Sequence, residues 1–291
     1  MSSSLTAWLA LAGAIAVLLV LDLLIVGRRG GEMSLRFASL ASVAWVAVSF
    51  VFAGVLVAVG ENAAAADYVA GYLVEKSLSL DNVFVFLLVF GAFGVAQAER
   101  HRLLTYGIVG ALVMRGVFIV IGAAALERFS WIAFVFAALL VYTGWGMLRH
   151  RHDHGAEEAL VEKVRKRMPH MKAGGAALAA IAVVDVIFAV DSVPAILAIT
   201  PDPYIVFAAN AFALLGLRPL FFLVADLVER LYYLKTALGV LLIAIGLKMA
   251  AGEVVGKIGP EYSLPGIALI LGTGVVASLV RDRRRSAMTA A

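Results

Sequence analysis

The sequence predicts an all-α membrane protein, a polytopic bundle of about nine transmembrane helices in a single integral membrane domain, residues 1–291. Hydrophobic residues make up 63% of the chain and charged residues only 15%, with a mean hydropathy of +0.99. A soluble core of this size needs fewer apolar residues. The apolar runs are close to the length of about 20 residues that crosses a bilayer as a helix. The ten-residue alternation of membrane β-barrels is missing, so we expect helices throughout.

Nine apolar runs follow one another along the chain. We place the spans at 5–26, 37–59, 68–95, 103–126, 131–148, 177–200, 204–224, 233–250 and 264–280. The first run is too long for a signal-peptide core and no basic residue precedes it, so we expect it to remain as a helix. The one long connection, residues 149–176, is strongly charged and contains the pair Gly174-Gly175 near its end, which favours a cytoplasmic linker between two halves.

The distribution of basic residues predicts the orientation of the bundle. Of the 24 Lys and Arg residues, 18 fall in connections on one side of the predicted spans and only Arg128 and Lys257 fall on the other. Cytoplasmic loops carry the excess of Lys and Arg. We therefore expect a multi-pass protein of a bacterial inner membrane, with its N-terminus outside and its C-terminus in the cytoplasm.

Two stretches place carboxylates inside apolar spans. Residues 75–86 are EKSLSLDNVFVF and residues 185–196 are DVIFAVDSVPAI. Each stretch holds two acids six positions apart, which are Glu75, Asp81, Asp185 and Asp191. Ionisable side chains at membrane depth are costly and commonly functional, so these stretches are the first candidates for a functional site.

The acidic stretches belong to a longer internal repeat. The pattern Leu-x-x-Arg-x-x-Phe around Arg115 recurs around Arg218, and Leu-Leu-x-x-x-Gly-x-x-Met ending at Met147 recurs ending at Met249. Three matches in the same order predict a duplicated three-helix unit, at 68–148 and 177–250. The third and sixth spans would run in opposite directions, so the repeats would be inverted. In transporters, inverted repeats place the substrate site near the bilayer midplane.

The residue types at this predicted site suit a hard divalent cation as a transported substrate, with no resident cofactor. Cysteine is absent, whereas carboxylates and the amides of Asn82 and Asn210 supply oxygen ligands. Pro194 removes a helical hydrogen bond and frees the Val190 carbonyl, so we expect α-helix bending there. We assign supporting roles to Arg115, Arg218, Ser192 and Pro194. Clustered carboxylates repel one another, so one is expected to hold a proton that the cation displaces.

Other interpretations of the polar residues remain open. Arg115 and Arg218 could neutralise the acids permanently, as structural ion pairs. Asp22 lies near the end of its span and suits an interfacial cap or ion pair. The segment His150–His154 has metal-ligand residue types, which also fit a solvated loop.

The motifs resemble those of a known family. EKSLSLDN in the third span and DVIFAVDSVPAI in the sixth are similar to the two signature segments of the TerC family of integral membrane proteins. NAFALLGLRPLFF at 210–222 and LKTALGVLLIAIGLKM at 234–249 also fit, so the resemblance covers roughly residues 21–250. It implies membrane metal-ion transport, chiefly manganese export, within the lysine-exporter superfamily. By motif position, it implies ion-site roles for Glu75, Asp81, Asp185 and Asp191.

Two classes of function follow. The first is a transporter that exports a divalent cation, with Mn²⁺ favoured over Ca²⁺ and Mg²⁺ by the resemblance, in exchange for protons. The second is a non-transporting membrane scaffold that aids tellurite resistance or the metalation of secreted proteins. We do not expect an enzyme, because no nucleophile and base motif is present, and no G-x-x-x-x-G-K-[ST] motif for ATP occurs. The expected partners are the lipid bilayer, the cation and protons. Nucleic acid is not expected, because the basic residues flank the spans.

The topology can be tested with reporters fused to the two ends of the chain. We expect a C-terminal reporter to be active in the cytoplasm and an N-terminal reporter to be active outside, because of the 18 to 2 division of basic residues. Both ends reporting from one compartment would contradict the predicted odd number of spans.

Overall fold

The protein is a bundle of helices. The structure, a computed structural model, describes residues 4–27, 34–149, 155–167, 171, 173–230, 232–255 and 260–289. Within these ranges the helices are α1 (Leu5–Gly27), α2 (Leu35–Ala58), α3 (Asn62–Ala92), α4 (Gln97–Arg128), α5 (Ile132–Arg149), α6 (Gly155–Arg167), α7 (Ala173–Leu197), α8 (Pro203–Leu214), α9 (Leu217–Arg230), α10 (Leu234–Val255) and α11 (Pro260–Thr289). No strand occurs in this part of the chain, so the predicted all-α class is confirmed.

Fewer helices qualify as membrane spans than the nine predicted. Across the described residues, seven helices are long and apolar enough to cross a membrane, and the bent pair α8–α9 would be an eighth. The 31-residue α3 is not among them. The count by length and composition is therefore seven or eight.

The helix α3 lies in the interior of the bundle. It packs against α2 and against each of α6 to α11. Tyr68, Val74, Glu75 and Val89 on this helix have no exposed surface. Glu75 is consequently covered by protein, which is how ionisable groups are tolerated at membrane depth.

The outer helices present apolar surface. Leu5 of α1, Leu40 of α2 and Tyr142 of α5 each expose more than two thirds of their surface, at 74%, 73% and 78%. Exposed side chains of this kind are expected where lipid replaces water around a bundle. Membrane helices of the outer layer thus surround a core that holds the polar residues.

The seventh predicted span, 204–224, is broken. α8 and α9 meet at an angle of 43° around Leu215 and Gly216. Gly216 has φ +81°, and a Cβ built there would lie 2.7 Å from the Cβ of Trp45, so only glycine fits. At the other end of α8, the Asp202 side chain accepts a hydrogen bond from the Tyr204 amide at 2.9 Å and caps the helix.

The connection predicted as a linker contains the short helix α6. Its Val161 is 2% exposed and belongs to the hydrophobic core, whereas Glu162 lies outside and is bonded by Arg165 at 2.8 Å. The hydrogen bond from Arg165 holds the pKa of Glu162 below its usual value. The segment His150–His154 lies outside the described residues. The division into repeats and linker stays a prediction.

The α5–α10 interface is formed by glycines. A Cβ on Gly144 would lie 2.6 Å from the Gly239 carbonyl oxygen, and a Cβ on Gly246 would lie 2.8 Å from the Ala137 carbonyl oxygen. The two backbones therefore touch, as small residues allow in membrane proteins. Gly144 and Gly246 are equivalent positions of the predicted repeat. Their reciprocal contacts are compatible with a two-fold relation between the halves, which stays a prediction.

The substitution Gly144→Ala should lower stability by about 1–3 kcal/mol, because the added methyl group must push two helix backbones apart. Gly146→Ala on the same helix is the matched control, since nothing lies within 4 Å of a Cβ there. We expect a lower melting temperature in detergent for the first variant, and an equal or slightly higher one for the second. Equal melting of both variants would contradict the close approach of α5 and α10.

Candidate functional site

Arg115 is the centre of a buried charged cluster. It lies on α4, has no exposed surface, and directs its guanidinium between α3, α7 and α8. Nη1 donates to Glu75 Oε1 and, at 2.9 Å, to Asn210 Oδ1, while Nη2 lies 3.5 Å from Asp185 Oδ1. The sequence placed these acids in matching positions of its two repeats, and one arginine joins them.

The two amides complete the set of oxygens around the guanidinium. Asn82, oriented with its oxygen toward Arg115, accepts from Nη2 at 3.1 Å and donates to the Leu78 carbonyl at 3.2 Å. Asn210 donates its own amide to the Val206 carbonyl at 3.0 Å, which fixes its oxygen toward Arg115. Both side chains are buried. Carboxylates and amides from three helices thus converge on one point.

The cluster carries more negative than positive charge. Two carboxylates face one guanidinium, so the ionised cluster has a net charge of −1. Glu75 Oε2 and Asp185 Oδ2 are buried without a hydrogen-bond partner among the described residues, as is Arg115 Nε. Buried oxygens of this kind are costly unless they are bonded. The arrangement favours an additional positive species, a cation or a proton, at the free oxygens.

Asp191 has a different partner from Glu75 and Asp185, and the predicted gathering of four acids at one ion site stays a prediction. Asp191, half-buried on α7, accepts a hydrogen bond from Thr143 of α5 at 3.0 Å. Six residues separate it from Asp185, which is about 9 Å along a helix. The side chain of Asp81 lies outside the described residues. Within the described part of the chain, no three acidic or histidine side chains meet as a metal site would require.

By prediction, Arg218 could neutralise one of the four acids. In the structure it is paired with Asp22 instead. Its Nη1 lies 3.1 Å from Asp22 Oδ2 of α1, and its Nη2 donates to the His101 carbonyl at 3.3 Å. Asp22 is 4% exposed, and the ion pair that was one of its two expected roles is formed with Arg218. Arg218 lies on α9, beyond the bend of 43° that follows α8.

The remaining supporting residues lie on α7. Ser192 is buried, and its hydroxyl has no hydrogen-bond partner among the described residues. Pro194 is buried inside α7, which continues through it without a break and ends three residues later at Leu197. The expected bend therefore leaves no interruption of the helix.

Lys76 has a role that the sequence did not reveal. Its Nζ donates to the Ala213 carbonyl at 3.1 Å and lies 3.5 Å from the Leu215 carbonyl, at the C-terminal end of α8. Helix C-termini carry unpaired carbonyls and a partial negative charge. The lysine beside Glu75 in an apolar span was the available sequence signal for this contact. The break after α8, where the carbonyls that it contacts lie, could not be predicted from the sequence.

The fold and site together define an all-helical, multi-pass membrane protein with a charged cluster buried between its helices. Residues 60–286 match the model of the family described as integral membrane protein TerC family. The chain belongs to this TerC family. The family assignment that the motifs suggested is thereby confirmed.

The chain is similar to bacterial membrane proteins over most of its length. An uncharacterized membrane protein of Myxococcus xanthus is 38% identical over 297 residues, which cover 95% of this chain and 92% of the relative. A protein of Escherichia coli (strain K12) named "Putative membrane-bound redox modulator Alx" is 38% identical over 271 residues, with 83% and 84% covered. A membrane protein of Rickettsia bellii is 33% identical over 296 residues, with 94% and 97% covered. No solved structure matches the chain.

The substitution Asp22→Asn should destabilise the protein by about 3–5 kcal/mol, because it leaves the Arg218 guanidinium buried without its carboxylate. The double variant Asp22→Asn with Arg218→Met should recover much of this loss, since it removes the orphaned charge. Thermal melting in detergent checks both. Glu162→Gln, which breaks an exposed pair, is the control and should change little. Equal melting of all variants would exclude a stabilising Asp22–Arg218 pair.

Proposed function

We propose that this protein exports a divalent metal cation, with Mn²⁺ as the substrate, through the site around Glu75 and Asp185. The observation that carries the proposal is the pair of buried carboxylates from α3 and α7, each with one oxygen left without a partner. Buried acids inside a membrane bundle mark ion or proton pathways. Membership of a membrane family with multi-pass relatives supports a transporter.

The choice of a hard divalent cation rests on the ligands. Glu75, Asp185, Asn82 and Asn210 offer oxygen, and the chain contains no cysteine to attract a soft metal. Asp191 and Asp81 extend the path along α7 and α3, where they would bind the cation before or after the central cluster. Carboxylates can hold a proton as well as a metal, which supports protons as the exchanged ion.

The same structure favours a second candidate, a membrane scaffold that moves no ion. Arg115 already neutralises part of the charge on Glu75 and Asp185, as a structural ion pair would. In that case the cluster would hold α3, α4, α7 and α8 together, and the protein would aid tellurite resistance or the metalation of secreted proteins. Transport by the purified protein separates the two candidates.

The orientation proposed with this function is that of an exporter in a bacterial inner membrane. The N-terminus lies outside and the C-terminus in the cytoplasm, as the basic residues suggest. Cation would enter from the side that carries the 18 basic residues.

Purified protein in liposomes should move Mn²⁺, and a panel with Mg²⁺ and Ca²⁺ should show which ion is preferred. Glu75→Gln and Asp185→Asn should each reduce the flux to that of protein-free liposomes, because they remove ion-binding charge at nearly constant shape. We expect the same of Asp81→Asn and Asp191→Asn. Glu162→Gln on the exposed face of α6 is the control. Equal Mn²⁺ flux in wild type and Asp185→Asn, at equal reconstitution, would contradict the proposed site.

Proton exchange can be tested in the same liposomes with an imposed pH gradient. We expect an inward proton gradient to accelerate Mn²⁺ movement in the opposite direction and internal pH to change with the flux, because the carboxylates alternate between metal and proton. Metal movement that neither responds to the gradient nor shifts internal pH would exclude this coupling.

A further inference from the structure

The oxygen atoms around Arg115 form a set that a cation would use. The guanidinium is bonded by one oxygen from each of two carboxylates and by two amide oxygens, all on buried side chains. The same four side chains are the ligands proposed above for Mn²⁺. The guanidinium and the metal would therefore compete for the same oxygens.

Charge balance disfavours occupation of the site by the guanidinium and the metal together. Arginine keeps its charge in proteins, so Arg115 cannot become neutral when a metal arrives. With the guanidinium in place, a divalent cation would raise the cluster from −1 to +1, which is unfavourable in a buried site. Without the guanidinium, Glu75 and Asp185 balance the divalent charge completely. Charge balance thus favours exchange of one cation for the other.

The contact that Arg115 makes with Asp185 is weaker than its other bonds. Its Nε has no hydrogen-bond partner among the described residues, and the contact from Nη2 to Asp185 Oδ1 is long at 3.5 Å. Arg218, its equivalent in the second repeat, also has an Nε without a partner among the described residues, but its bonds go to the carboxylate and carbonyl of Asp22 and to the His101 carbonyl, none of which is a proposed ligand. Only the first arginine lies among the proposed metal ligands.

We infer that Arg115 is an internal cation of the carrier: its guanidinium occupies the metal site in the ion-free form, and the transported metal displaces it. This inference rests on the proposed function and adds a regulatory role to the same site. The guanidinium brings the empty site from −2 to −1, so that a single proton completes the charge balance while the carrier returns without metal. Removing Arg115 would leave Glu75 and Asp185 without this counter-charge, so the carrier would cross efficiently only when it is loaded.

The test compares net flux with exchange in liposomes filled with radiolabelled Mn²⁺. Efflux is measured into a medium without Mn²⁺ and into a medium with unlabelled Mn²⁺. We expect wild type to release label at similar rates in both. For Arg115→Gln we expect little release into the Mn²⁺-free medium and a severalfold faster release when external Mn²⁺ is present, because a single proton leaves the variant's empty site at −1, whereas a divalent metal balances it.

Two further variants test whether the effect of Arg115→Gln is specific to the charge at that position. Arg218→Gln should lower the melting temperature while the ratio of exchange to net flux stays that of wild type, since its pair with Asp22 lies outside the site. Arg115→Lys keeps one positive charge without the planar fork and should show an intermediate ratio. It also serves if Arg115→Gln does not fold.

The outcomes separate the two proposals. Wild-type protein that moves no Mn²⁺ in either medium overturns the proposed function and with it this inference. Wild-type transport combined with an unchanged ratio in both Arg115 variants overturns the inference alone, and assigns Arg115 to structure. A raised ratio in Arg115→Gln, absent in Arg218→Gln, supports the internal cation.

Discussion

The bundle depends on how it satisfies one permanent buried charge. Arg115 cannot be neutralised, and it lies where no surface is exposed. Its position therefore requires acceptors from neighbouring helices, which Glu75 of α3, Asp185 of α7 and Asn210 of α8 supply. The contacts of Arg115 therefore join the four helices α3, α4, α7 and α8 at one point. Helix association in membranes lacks a strong hydrophobic drive, so a polar tie of this kind also specifies which helices meet.

The two arginines of the predicted repeat show where similarity between the halves ends. Arg115 and Arg218 occupy equivalent positions in sequence, yet the first binds acids inside the repeats and the second binds Asp22 of α1. The second arginine comes just after a break at Gly216, which has no counterpart in the continuous helix α4. A duplicated sequence can thus hold two chemically distinct buried pairs.

Composition and motif spacing were sufficient to predict much of the fold and part of the site. Apolar runs indicated the helical class, and one acid of each predicted pair, Glu75 and Asp185, contacts Arg115 in the structure together with Asn210. Sequence could not predict the partner of Arg218, because that depends on the angle between α8 and α9. It likewise missed Thr143 beside Asp191, since a lone threonine in an apolar span gives no signal of its partner.

The glycine contacts between α5 and α10 have a mechanical consequence. With carbonyl oxygens of one backbone close to the α-carbons of the other, neither helix can slide or roll without lifting over its neighbour. The two helices are therefore expected to move as one rigid unit. In the transport proposed above, we would expect the core to open between this unit and the helices joined through Arg115.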